Sequence, residues 1–267
     1  MPVIRLAIHG AAGRMGQRLI ALAAADTELS VAAAVDAATH PRIGGDAGLL
    51  AGTDELGVPL TGALPADAEI DVVIDFSVPA GVDAVTSVCL ERKLPLVMAT
   101  TGLDRGQQER LRAASRQIAL LWAPNMSLAV NLLMKLSSVA AEALKDHPSG
   151  ADVEIIERHH RFKEDAPSGT ALKFGRIIAD VMGQTEHTHG REGRPGQRPH
   201  GEIGYHALRV GDDPGEHTIV FGLLGETIEL TVRATNRDCY AHGALAAAKF
   251  LAGKPAGMYG IQDVLGL

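Results

Sequence analysis

Two adjacent histidines, His159 and His160, and a lysine four residues past the first, Lys163, lie in the run of residues 154–171. An imidazole titrates near neutral pH, so it can give or take a proton during turnover. The same run closes on Pro167-Ser168-Gly169-Thr170. Beyond it, apolar residues recur at Phe174, Ile177, Ile178 and Val181, which is helical spacing. Ser168 is the expected N-cap of that helix. The first turn of a helix exposes unpaired N–H groups and the positive end of the dipole, so Gly169 and Thr170 offer a seat for a carboxylate. Taken singly, each histidine reads as an ordinary core or surface residue and Lys163 as a solvated one. Together, two imidazoles, an ammonium and an anion seat suit an acidic small molecule that must be protonated.

A second group of residues sets a different chemistry at the start of the chain. Residues 3–8 read as a buried strand that feeds Gly10-Ala11-Ala12-Gly13-Arg14-Met15-Gly16. A helix through Leu19, Ile20 and Leu22 follows, then a strand over 29–35 that ends at Asp36. Strand, glycine turn, helix, strand and terminal acid within a βαβ unit of about 30 residues are what a dinucleotide site requires. Asp36 is placed to accept hydrogen bonds from the adenosine ribose. A glycine turn alone also serves plain β–α connections; the strand context and the acid favour the cofactor.

The elements that must position these groups continue in alternation. Strands are expected over 70–76, 94–98 and 118–122, with helices over 79–92 and 105–117 between them. Such alternation predicts a doubly wound parallel sheet, with ligands at the carboxyl ends of its strands. Asp75-Phe76-Ser77, Ala99-Thr100-Thr101-Gly102 and Ala123-Pro124-Asn125-Met126-Ser127 fall at those ends. A long helix over 127–145 carries the chain out of this domain. After the histidine run, residues 183–201, rich in Gly, Pro, Arg and His, read as a long mobile loop of the kind that often forms lids. Its His187 and His189 lack a third and fourth ligand, so no metal site is expected. Strands over 203–210, 216–223 and 227–234 alternate apolar and polar residues, the pattern of an antiparallel sheet with one wet face. A last helix over 241–251 and the tail are expected to pack back on the first domain. The division is thus 1–127 (with 241–267) for the dinucleotide and 128–240 for the substrate and self-association, a Rossmann-like α/β domain beside an α+β domain on a mixed, mostly antiparallel sheet.

Composition narrows the function classes. The 267 residues carry a net charge of −7, which argues against nucleic acid or an anionic membrane as the main partner. No apolar run approaches the roughly 20 residues of a membrane helix, and no leader-like start is seen. Cys89 and Cys239 lie far apart without metal-type spacing, and two free thiols in a reducing cytoplasm are expected.

The motifs resemble one family, 4-hydroxy-tetrahydrodipicolinate (dihydrodipicolinate) reductase. They are the glycine turn of residues 10–16, Asp75-Phe76-Ser77, Thr100-Thr101-Gly102, Pro124-Asn125-x-Ser127, Gly215-Glu216-His217-Thr218, and above all Glu157-x-His159-His160-x-x-Lys163-x-Asp165-Ala166-Pro167-Ser168-Gly169-Thr170-Ala171. The resemblance covers nearly the whole chain. It implies that Gly10, Ala11, Ala12, Gly13, Arg14 and Met15 hold the cofactor pyrophosphate and Asp36 the ribose. It places Ala99, Thr100 and Thr101 with Ala123, Pro124, Asn125 and Met126 on the nicotinamide side. It implies His159 as general acid/base, Lys163 as a second proton donor, and His160, Gly169 and Thr170 as substrate-carboxylate contacts. It implies a homotetramer, and NADH or NADPH reducing a small cyclic dicarboxylate in lysine and diaminopimelate synthesis. Two positions depart from the family's pattern. Ala37 stands where an arginine often follows the ribose-binding acid, so NADH is expected to serve at least as well as NADPH. Ala129 stands where a glycine is usual. Two other readings are another two-domain nicotinamide oxidoreductase and a nucleotide-sensing protein without catalysis. The carboxylate seat argues against sugar substrates. The absence of a basic DNA-binding segment, beside the retained histidine–lysine run, argues against the sensor.

Overall fold

The computed structural model describes residues 2–267, which divide into two compact units, residues 2–128 with Asp238–Leu267, and Ala129–Arg237. In chain order the first unit opens with β1 (Ile4–His9), α1 (Arg14–Ala24) and β2 (Leu29–Val35), then short α2 (Ala47–Leu50) and β3 (Leu60–Thr61). It continues through β4 (Val72–Asp75), α3 (Pro79–Arg92), β5 (Leu96–Met98), α4 (Arg105–Ala114) and β6 (Ala119–Trp122). Three consecutive residues of β1, Leu6, Ala7 and Ile8, are fully buried, so both faces of the strand are covered, as in a central parallel strand. Helix starts follow local chemistry: α3 carries Pro79 in its first turn, and α4 opens on a capping box between Asp104 and Gln107.

α5 (Leu128–Leu144) is followed by β7 (Asp152–His159), α6 (Gly169–Met182), β8 (Glu186–His189), β9 (Glu202–Arg209), β10 (Glu216–Leu223) and β11 (Glu226–Arg233). The chain then returns to the first unit with α7 (Asp238–Leu251), β12 (Gly257–Tyr259) and α8 (Ile261–Leu265). The first unit's sheet runs β12-β6-β5-β4-β1-β2-β3, every pair parallel. Leu19 of α1 and Leu245 and Leu251 of α7 pack with Leu6, Ile74 and Leu121 in one core. Val82 and Cys89 of α3 and Leu111 of α4 pack with Ala7, Val73 and Leu120 in a second. The sheet is therefore a filling between two helical layers.

The second unit holds a mixed five-stranded sheet in the order β11-β10-β7-β9-β8. β7 and β11 flank β10 antiparallel, whereas β7–β9 and β8–β9 are parallel. One face buries Val153, Ile155, Ile203, Ile219 and Phe221 under Leu133 of α5 and Phe174 and Ile178 of α6. The other face is left open in places, with Ile156 and Leu208 exposed.

The structure corrects the expected mobile loop over 183–201. Glu186–His189 forms strand β8, and the segment after it is pinned to the sheet. Glu154 of β7 accepts from Arg191 Nη2 at 2.7 Å, Arg198 Nε at 2.9 Å and His206 Nε2 at 2.7 Å. His187 and His189 stack on Tyr205, and His187 Nδ1 meets the Tyr205 hydroxyl at 2.8 Å. Gly and Pro content concealed a strand because the partners that hold it come from residues 37 and more positions away or from the next strand. The sequence reading also passed over β3, β12, α2 and α8, all of five residues or fewer. Periodicity has too few repeats to register in such short elements.

Candidate active site

The alternation of β7 brings a carboxylate and an imidazole together. Val153, Ile155, Glu157 and His159 share its buried face, so an apolar stripe gives way to a carboxylate and an imidazole at the strand end. His159 Nδ1 meets Glu157 Oε2 at 2.5 Å. Arg209 donates to both oxygens of Glu157, at 2.9 and 2.8 Å, and the Ser168 backbone N–H donates to Oε1 at 3.0 Å. Burial alone would raise this carboxyl. The hydrogen bonds from His159 and Arg209 outweigh it and hold Glu157 down at about 2. Glu157 is therefore an anion that fixes the tautomer of His159, with Nδ1–H toward the carboxylate and Nε2 left for chemistry. A methyl at Gly215 would stand 2.9 Å from Nε2, at a backbone φ of +147°, so glycine keeps that nitrogen clear.

Ser168 joins the acid to the helix start. Its Oγ accepts from Ala171 N–H at 3.1 Å, capping α6, and pairs with His217 Nε2 at 3.0 Å. His217 stands edge-on to His159, ring centroids 5.2 Å apart. Burial, then the neighbouring His159, pushes the His217 imidazole down to about 4, so it is neutral at working pH. Glu157, His159, Ser168 and His217 thus form a closed ring of contacts, and the N-terminus of α6 with Gly169 and Thr170 opens beside it. No heavy atom outside the adjoining chain lies within 4 Å of a methyl built at Gly169, which leaves that end of the helix accessible.

His160 and Lys163 lie on the turn after β7, where Lys163 N–H donates to His160 C=O at 3.1 Å. His160 Nδ1 is buried without a protein partner. Lys163 Nζ donates to Asp165 Oδ1 at 2.7 Å, which holds the Asp165 carboxyl below its usual range. The structure thus gathers His159, His160, Lys163, Gly169 and Thr170 into one unit. It adds Glu157, Arg209, Gly215 and His217, to which the sequence reading gave no role. Glu157 was readable, since it precedes His159 by two positions on one strand and so shares its face. Arg209 and His217 come from other strands, and only the register reveals them: His217 is the partner of Glu157 across β7–β10.

The first unit carries the other predicted group. Gly10 takes a φ of +81°, and a methyl there would meet Phe76 O at 2.5 Å, so the turn and the end of β4 are in contact. α1 starts at Gly13 with no side-chain cap, which leaves its first N–H groups to an anion, and Arg14 is exposed in the first turn. Asp36 follows β2, accepting Ala12 N–H and Ala37 N–H, each at 2.8 Å. The carboxylate is therefore tied to the glycine turn it is expected to serve. Ala99, Thr100 and Thr101 follow β5, and Ala123 to Met126 follow β6; Ala99 N–H donates to Asp75 O and Ala123 N–H to Met98 O. An uncapped helix, a glycine turn and a carboxylate after the second strand fit a dinucleotide.

A parallel α/β unit with a glycine turn and carboxylate that fit a dinucleotide, joined in one chain to a mixed-sheet unit with a histidine held by a buried carboxylate, is the make-up of a two-unit oxidoreductase. The chain belongs to the dihydrodipicolinate reductase family. Residues 4–126 match the family's N-terminal domain and residues 129–265 its C-terminal domain. A 4-hydroxy-tetrahydrodipicolinate reductase of Rhodopirellula baltica is 54% identical, over 99% of this chain and 96% of that protein. One from Alkalilimnicola ehrlichii is 46% identical, over 98% and 99%. A solved structure, the dipicolinate-bound dihydrodipicolinate reductase from Paenisporosarcina sp. TG-14, matches with a TM-score of 0.79 and 27% identity, covering 98% of this chain and 99% of that one.

Proposed function

We propose that the protein catalyses the reduction of 4-hydroxy-tetrahydrodipicolinate to tetrahydrodipicolinate with a reduced nicotinamide cofactor. The observation that carries this reading is the Glu157–His159 pair, joined through Ser168 to the uncluttered N-terminus of α6. The family relatives support the substrate class, and a related structure holds dipicolinate. The cofactor, when bound, supplies a hydride to the unsaturated imine ring. Gly10, Ala11, Ala12, Gly13, Arg14 and Met15 would hold its pyrophosphate and Asp36 its ribose, with Ala99 to Thr101 and Ala123 to Met126 on the nicotinamide side.

Hydride addition to a conjugated imine leaves an enamine-like carbanion, so a proton must follow, and water is lost from the 4-hydroxy substrate. His159 delivers that proton from Nε2, while Glu157 stabilises the imidazolium that precedes delivery. Lys163 is the second proton donor. One substrate carboxylate sits on the N–H groups of Gly169 and Thr170, and His160 Nδ1 turns to the other. Planar pyridine-2,6-dicarboxylate should then compete with substrate, and Thr170→Val should weaken that inhibition about tenfold, the worth of one hydrogen bond to a charged group. Unchanged inhibition in the variant would place the dicarboxylate elsewhere.

The enzyme uses NADH at least as well as NADPH, because Asp36 faces a free ribose diol and Ala37 brings no cation. It acts as a homotetramer in the cytoplasm. Exposed Ile228 on the edge strand β11, with Leu230 and Val232 half-covered on the same face, supports self-association. Light scattering that finds a stable monomer at micromolar concentration would remove that part.

A further inference from the structure

His9, the last residue of β1, stands in register with Asp75, the last residue of β4. β1 has β2 on one side and β4 on the other, so this pair marks the place where the strand order reverses. In doubly wound sheets that crevice is where the ligand binds. Asp75 is fully buried. Its Oδ1 takes His9 Nδ1 and its Oδ2 accepts from Thr100 Oγ1 at 2.6 Å. Thr100 Oγ1 in turn accepts the Ser77 backbone N–H at 3.0 Å. A buried carboxylate is costly unless donors satisfy it, and here the donors come from the ends of two neighbouring strands. The chain His9–Asp75–Thr100–Ser77 therefore ties the ends of β1, β4 and β5 to each other. Gly10, the residue after His9, touches the Phe76 carbonyl, so the glycine turn hangs on the same knot.

The place for the imidazole is built into the neighbouring helix. A methyl at position 81 in α3 would stand 2.9 Å from His9 Cε1 and 3.1 Å from Ser77 Oγ. Only glycine there leaves room for the ring beside Asp75.

We infer that His9 is a positioning residue for the cofactor: its Nδ1–H, acting through Asp75 and Thr100, sets the strand ends whose backbone receives the dinucleotide. The inference rests on the first unit being the seat of a nicotinamide cofactor. His9 enters no chemical step, and its contribution lies in how tightly the cofactor is held.

The test is the dissociation constant of NADH, titrated by fluorescence in the absence of substrate, for the wild type and three variants. His9→Asn places an N–H where Nδ1 stands, His9→Gln places one where Nε2 stands, and His9→Leu offers none. His9→Asn should bind within about threefold of the wild type, while His9→Leu and His9→Gln weaken binding about tenfold or more, with kcat at saturating NADH little changed. A His9→Leu enzyme that binds NADH as the wild type does overturns the inference. So does a set of variants with lowered melting temperatures and unchanged dissociation constants, since that is a structural role alone. If His9→Leu does not fold, the Asn and Gln variants decide, and equal affinities for the two overturn the inference. A wild type that binds neither NADH nor NADPH overturns the cofactor reading itself and this inference with it. A wild type that binds, with all variants equal to it, overturns the role of His9 alone.

Discussion

The carboxylate of Glu157 and the imidazole of His159 meet at 2.5 Å on one face of β7, two positions apart, with the glutamate almost completely buried. A strand brings such a pair together without any tertiary help, because residues i and i+2 share a face. Tertiary structure then sets the pair's charge and the space around it. Arg209 and the Ser168 N–H keep Glu157 ionised, and Gly215 keeps the far nitrogen of His159 clear.

His159→Gln should leave the NADH dissociation constant nearly intact and lower kcat by a factor of about 10² to 10⁴, the usual worth of a general acid. Steady-state kinetics beside a cofactor titration separate the two effects. Full turnover in the variant would make His159 a structural residue.

His217 should leave a mark on stability against pH. Its folded-state value is about 4, against 6.5 when free, because burial disfavours the charged ring. Below pH 6.5 the unfolded chain takes up a proton that the folded chain refuses until about pH 4. Stability from this group therefore falls as pH drops across that window, by about 3 kcal/mol at most. Glu157 is shifted in the same direction, about 2 against 4.5, so its contribution is present above pH 4.5 and is lost as pH falls toward 2, below the His217 window. Urea unfolding of the wild type and His217→Gln from pH 8 to 4 checks the first part. The variant's curve should be flatter between pH 6.5 and 4. Parallel curves would assign the acid-side loss to another group.

Much of this architecture was legible because its signals are local. The βαβ start, the Pro79 helix and the Ser168 cap each depend on residues within one turn or strand, and Leu29–Val35 and Pro79–Arg92 fall where periodicity places them. The Glu154–Arg191–Arg198 cluster and the His9–Asp75 pair depend on partners 37 to 66 residues apart, which no window along the chain contains. A segment dense in glycine and proline therefore hid β8, whose order comes from Tyr205, Glu202 and Glu154. His217 was visible as part of a motif, yet its meaning required the β7–β10 register.

The proposed preference for NADH rests on Asp36 and the residue after it. Both Asp36 oxygens already accept a backbone N–H, one from the glycine turn, so the carboxylate is fixed in place. Ala37→Arg would bring a guanidinium able to grip a 2′-phosphate in bidentate fashion. The ratio of kcat/KM for NADPH to that for NADH should rise in the variant. A wild type that prefers NADPH tenfold or more would show that Arg14, or His40 and Arg42 on the following loop, outweighs Asp36.

The most direct measurement is a coupled assay in which dihydrodipicolinate synthase supplies the unstable substrate and loss of reduced-nicotinamide absorbance is followed. The wild type should consume NADH in proportion to synthase product, and His159→Gln at equal concentration should consume it at least about a hundredfold more slowly. No consumption by a folded wild type that binds NADH would contradict the account, as would equal rates for the two proteins.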